Sequence, residues 1–277
     1  MLLTAAGLAF LALPAAAAVK QPPLAGNDLY SATFVTSGTD ATRRVPGYRQ
    51  TLEDVLVKVS GDPRLIGDPR LDALKAKAAD LTTGFTYLDL YSGRPLHDEQ
   101  GSYDRPHYLT VTYDPAKIGA ALGNLGLKPW TGERPKLAVF LAIEKYNQRY
   151  VVTADDPRDM AMNEAFAAAS LRYALPMTFP PSAMIDGAGL AFDSLPKAAD
   201  LTSLAAKAGG ALPLTGSLVF SDREHGWIAD WYLTAAAGLH HWQVRGVNFD
   251  TAFCYAILGA EQVLSGNGEP GDMKPSP

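Results

Sequence analysis

The stretch that most constrains this chain is residues 48–65, YRQTLEDVLVKVSGDPRL. Tyr48, Leu52, Val55, Leu56 and Val59 recur at the spacing of a single helical face, with Arg49, Gln50, Glu53, Asp54 and Lys58 opposite. Gly61 stands where a helix C-terminus favours a left-handed residue, and Pro63 cannot continue the helix. An apolar stripe of this length has to be buried against a sheet, and the flanking sequence supplies strands. If the helix begins as early as Ala41, Pro46 falls inside it and should kink it.

Alternating or continuous apolar runs predict strands at 29–35, 84–91, 107–113, 137–143, 175–179, 212–220, 227–236 and 240–247. Helices are expected at 68–79, 115–122, 157–174, 200–208 and 250–264. The run LAVFLAI at 137–143 lacks alternation, as in a strand buried on both faces. This order reads as α+β, with two small mixed β-sheets each covered by helices. The expected division is an N-terminal α+β domain at 29–126, a Gly/Pro-punctuated linker at 127–135 and a C-terminal α/β domain at 136–266. A polar tail follows at 267–277.

Residues 1–18 read as a signal peptide. An apolar run ends at Pro14, and Ala16-Ala17-Ala18 offers a cleavage site, leaving 19–28 as a lead-in. That run is too short to span a bilayer, so the mature chain is expected to carry no transmembrane segment and to be periplasmic or secreted. A formal net charge of −5 gives no basic face for nucleic acid. The single cysteine, Cys254, excludes an internal disulfide and is expected as a small buried side chain in the last helix.

No sequence signature of a nucleophile elbow, phosphate loop or dinucleotide fold is present, and no catalytic residue, cofactor or metal ligand is assigned. The candidate binding surface comprises Asp62, Arg64, His97, Asp98, Glu99, Arg105, Trp227 and Trp231. Asp62 and Arg64 belong to paired D-P-R turns, in which Asp either caps backbone N–H groups or frees Arg for a partner. The loop holding His97, Asp98, Glu99, Arg105 and His107 suits a binding surface, a solvated turn or the acids of an envelope-polymer hydrolase. Trp227 and Trp231 share one face of a strand. Exposed, they would stack on glycan rings; buried, they are sheet core. His240 and His241 point to opposite faces.

The blocks SGDPRL (60–65), HDEQG (97–101), DRPHYLTVTYDPAKI (104–118), KPW (128–130) and LSGNGEP (264–270) together resemble the bacterial family called domain of unknown function 2066. That resemblance implies an exported chain and carries no established activity or catalytic residue. The element order of the second half is similar to anticodon-binding-like envelope modules, such as the N-terminal domain of the translocation protein TolB. This similarity implies a protein-binding or assembly role, with an envelope protein or a peptidoglycan-associated component as partner.

Overall fold

A computed structural model of the chain describes residues 29–92, 105–195, 201–236 and 238–271. The first half holds β1 (Ser31–Ser37), α1 (Ala41–Ser60), α2 (Asp72–Lys75), β2 (Thr82–Asp89), β3 (Pro106–Tyr113) and α3 (Pro115–Asn124). The second holds β4 (Leu137–Lys145), β5 (Gln148–Val151), α4 (Met160–Tyr173), β6 (Met177–Thr178), α5 (Ser182–Gly187) and α6 (Thr202–Lys207). It closes with β7 (Leu212–Ser221), β8 (Gly226–Ala235), β9 (Gly238–Val247) and α7 (Phe249–Leu264). The fold is α+β with two sheets. One is antiparallel in the order β1-β3-β2. The other is mixed in the order β5-β4-β7-β8-β9, with β6 also paired to β4.

Helix α1 begins at Ala41 because the Asp40 carboxylate accepts the N–H groups of Thr42 and Arg43, each at 3.0 Å. Pro46 lies inside it and removes one intrahelical donor. Gly61 ends the helix at φ 68°, its N–H donating to the Val57 carbonyl at 2.7 Å. The apolar stripe packs on the inner face of the first sheet, where Ala32, Leu109 and Val111 are buried. Burying each of Leu52, Val55, Leu56 and Val59 contributes about 1.5–3 kcal/mol. Gly47 permits the close approach, since a Cβ there would stand 2.6 Å from Leu109.

The C-terminal part of the polar face of α1 is also buried, while Arg49 stays exposed. Asp54 is 5% exposed and Lys58 3%. Charges so placed require partners. Glu53 is paired by Lys75, Asp54 by Arg172 of α4, and the Lys58 ammonium donates to the Ser31 carbonyl. Helix α1 thus lies between the first sheet and the helices of the second half.

Strand β4 is buried on both faces. Leu137, Val139, Leu141 and Ile143 join the large core with α1, α4 and α7, whereas Ala138, Phe140 and Ala142 face a smaller core with Ile185 and Ala205. Its hairpin partner β5 has no counterpart in the predicted strands. QRYV is polar, and the turn before it places Tyr146, not glycine, at φ 54°. The run 68–79, expected as one helix, is broken into a 3-10 turn at Pro69–Leu71, the single turn α2 and a 3-10 turn at Ala78–Leu81. It buries only Leu71 and Ala78, too little apolar contact to hold so short a helix continuous.

The 127–135 stretch is fixed to both halves. Trp130 donates its N–H to the Val59 carbonyl at 2.7 Å. The Arg134 guanidinium lies 4.1 Å over the Trp130 ring, donates to Glu261 of α7 at 2.6 Å, and reaches the carbonyls of Lys58 and Tyr173. Asn267 donates to the Ser60 carbonyl at 2.8 Å.

Candidate functional site

A cavity of about 330 Å³ opens between β1 and α4. Ser31, Ala32, Thr33 and Val35 border it from β1, Tyr108 from β3, and Ala168, Leu171 and Arg172 from α4; Asp54 and Lys58 border it from α1. Its volume is at the lower end of ligand-site sizes. The walls are largely apolar, and they include two large hydrophobic side chains open to solvent, Val35 at 53% and Leu171 at 39% exposure.

The charged groups form an ordered set. Arg172 grips Asp54 with two bonds, Nε to Oδ2 at 3.1 Å and Nη2 to Oδ1 at 2.7 Å. Gln50 adds a third bond to that carboxylate at 3.2 Å. Burial alone would lower the Arg172 pKa, but the Asp54 carboxylate more than offsets this and holds it above its ordinary value. Asp54 is enclosed, while the Arg172 side chain is 43% exposed. The charge presented at this part of the mouth is therefore positive.

Strand β1 is an edge strand. Tyr113 donates its N–H to the Tyr30 carbonyl at 2.8 Å, and this fixes the parity of the ladder. In register with Tyr30, residues 32, 34 and 36 turn their backbone groups towards β3. Residues 31, 33 and 35 turn theirs towards the free edge, and all three border the cavity, as Ala32 does too. The bond from Lys58 to the Ser31 carbonyl agrees with this parity.

The residues singled out from sequence lie elsewhere. His97, Asp98 and Glu99 fall outside the described residues. Arg105 pairs with Asp89 at 3.1 Å, and its carbonyl lies 2.7 Å from His107 Nδ1. Asp62 is buried and caps the turn Pro63–Leu65, accepting the Arg64 N–H at 3.0 Å and its guanidinium at 2.7 Å. The Arg64 fork is therefore closed on its own neighbour, and Asp68 and Arg70 repeat the arrangement. Trp227 and Trp231 are buried, Trp231 between Gly216, Phe166 and Phe253, so neither ring presents a face to a glycan. Cys254, expected as a buried side chain, is half-buried, and its desolvation raises the thiol pKa, which suits an inert thiol. Among the described residues no three His, Cys, Asp or Glu side chains gather as a metal site, and no helix is long and apolar enough to cross a membrane.

Asp54 and Lys58 were visible in the sequence as polar positions of α1, but nothing there indicated their burial. Arg172 lies 118 residues from Asp54, and no spacing announces such a pair.

Comparison with curated proteins and with solved structures returns no match. Residues 25–131, which carry the first sheet, α1 and four of the five sequence blocks quoted above, match the family model described as Domain of unknown function (DUF8605).

Proposed function

We propose that this chain is a non-catalytic binding module of the bacterial cell envelope, and that its partner, another envelope protein, docks in the groove between β1 and α4. The observation that carries this reading is the groove itself. Exposed apolar side chains from two elements, Val35 and Leu171, flank an edge strand beside a fixed positive charge, Arg172. Partner surfaces favour such a combination of apolar anchors and arginine. The envelope assignment draws on residues 1–18, on the resemblance to the 2066 family, and on the TolB-like element order of the second half. The alternative of a hydrolase built on His97, Asp98 and Glu99 draws only on sequence, since those residues lie outside the described part of the chain. Burial of Trp227 and Trp231 takes away the support for a glycan-binding module.

The test is affinity capture from envelope extract. Wild type should retain a partner, and Leu171→Glu should lose at least ~10-fold of it, a change of about 1.4 kcal/mol. Leu239→Glu, on the exposed start of β9, should bind as wild type. Equal capture by Leu171→Glu, or turnover of a cell-wall polymer by the purified protein, contradicts the proposal.

A further inference from the structure

We infer that the groove binds its partner by strand addition: an extended segment of another protein, apolar and carrying an acidic side chain, pairs with the free edge of β1 beneath α4. This inference rests on the reading of the groove as the docking site and states the mode and chemistry of docking.

Three observations support it. First, the parity of β1 directs the backbone N–H and C=O groups of Thr33 and Val35 into the groove, and no bond among the described residues engages them on that side. Unpaired edge groups are a template for another strand, and proteins ordinarily blunt them with lysine, proline, a bulge or a covering element. Here Lys58 caps the Ser31 end and Arg43 the Ser37 end, which leaves the groups of Thr33 and Val35 between them. The β1–β3 register runs without a bulge, and β1 contains no proline.

Second, the space beside this edge has a far wall. Ala168 and Leu171 of α4 stand across it, giving an incoming strand apolar surface for alternate side chains in addition to main-chain bonds.

Third, the charge selects the segment. Asp54 is enclosed and already neutralised by Arg172, so the exposed charge on the α4 wall is the guanidinium. A carboxylate on the added strand would meet that cation; an ammonium would meet a like charge.

The probe is a phage-displayed library of random heptapeptides, selected on the full folded chain and remade as synthetic peptides. The selected peptides should combine β-branched or apolar residues with Asp or Glu, and exchange of that acid for Lys should weaken binding at least ~10-fold. Thr33→Pro should weaken binding at least ~10-fold, because it removes an outward N–H and leaves the β1–β3 backbone ladder whole; Thr33→Val, which loses only the hydroxyl pair with Thr110, should bind as wild type. N-methylation of alternate peptide amides supplies the same test without altering the protein.

Peptides that tolerate both N-methylation and Thr33→Pro but lose binding to Leu171→Glu would overturn strand addition and leave the groove reading standing. Peptides indifferent to Leu171→Glu as well would overturn both. A library that yields no binder, or binders without acidic enrichment, overturns the inference, while capture from extract judges the groove separately. A photoreactive side chain at Val35 of the full chain distinguishes other occupants. A cross-link to residues 19–28 of the same chain, or to a second copy, overturns the assignment to a partner.

Discussion

Arg134 and Glu261 illustrate what single residues do in this protein. Both are buried, they meet at 2.6 Å, and Arg134 also holds carbonyls of α1 and α4. Removing Arg134 leaves the Glu261 carboxyl and those two carbonyls without their buried donor, so Arg134→Ala should cost about 1–3 kcal/mol in urea denaturation. A cost below ~1 kcal/mol would show that the pair is not enclosed in solution. Burial pushes the Glu261 carboxyl up to about 8 against the opposing pull of Arg134. The sign follows from that direction. Between the ordinary carboxylate range and about pH 8, the folded chain holds a proton that the unfolded chain has lost, so this group's contribution to stability falls as pH rises through that window. Melting wild type and Glu261→Gln from pH 5 to pH 8 should show the steeper decline in wild type; equal slopes, or a steeper decline in the variant, contradict the assignment.

At the scale of elements, two glycine–tryptophan contacts set how closely the second sheet is packed. A Cβ on Gly259 of α7 would stand 2.2 Å from the Trp242 ring, and one on Gly216 of β7 2.3 Å from Trp231. Both rings are fully buried and have no room to retreat. Gly259→Ala should therefore destabilise by about 1–3 kcal/mol, net of the ~1 kcal/mol that alanine gains in a helix. A thermal melt in which the variant equals or exceeds wild type would mean that α7 can lift from β9.

Individual elements were legible where a periodic signal was strong. The stripe from Tyr48 to Val59 and the Gly61–Pro63 stop located α1, and the unbroken apolar run of β4 anticipated burial on both faces. Strand β5 escaped because its turn relies on a left-handed tyrosine, and α5 because six residues carry no period. The groove was not legible at all. Its walls come from β1, α1 and α4, and the side chains that charge it, Asp54, Lys58 and Arg172, acquire their meaning only when α4 packs on α1.

Across the whole molecule, one continuous core runs from Ala32 of β1 through α1 to Ile257 of α7. Arg172–Asp54 crosses from one half to the other, Arg134–Glu261 ties the 127–135 stretch to α7, and Asn267–Ser60 ties the segment after α7 to α1, each at a separation above 100 residues. Helix α1 is buried on the side facing each half, so neither half can shed the other without exposing it. Unfolding in urea, followed by tryptophan fluorescence and by far-ultraviolet circular dichroism, should therefore give one coincident transition. Two separated transitions would mean that the 127–135 stretch joins independent units.

The groove is built where those halves meet, with β1 and α1 on one side and α4 on the other, so recognition there depends on the assembled molecule. The most direct test is in-cell photo-crosslinking from the full chain, with a photoreactive side chain placed in turn at Val35, Leu171 and Leu239. Adducts with one and the same envelope protein from Val35 and Leu171, and none from Leu239, are the predicted result. Adducts from Leu239 alone, or none from either groove position, would contradict the account.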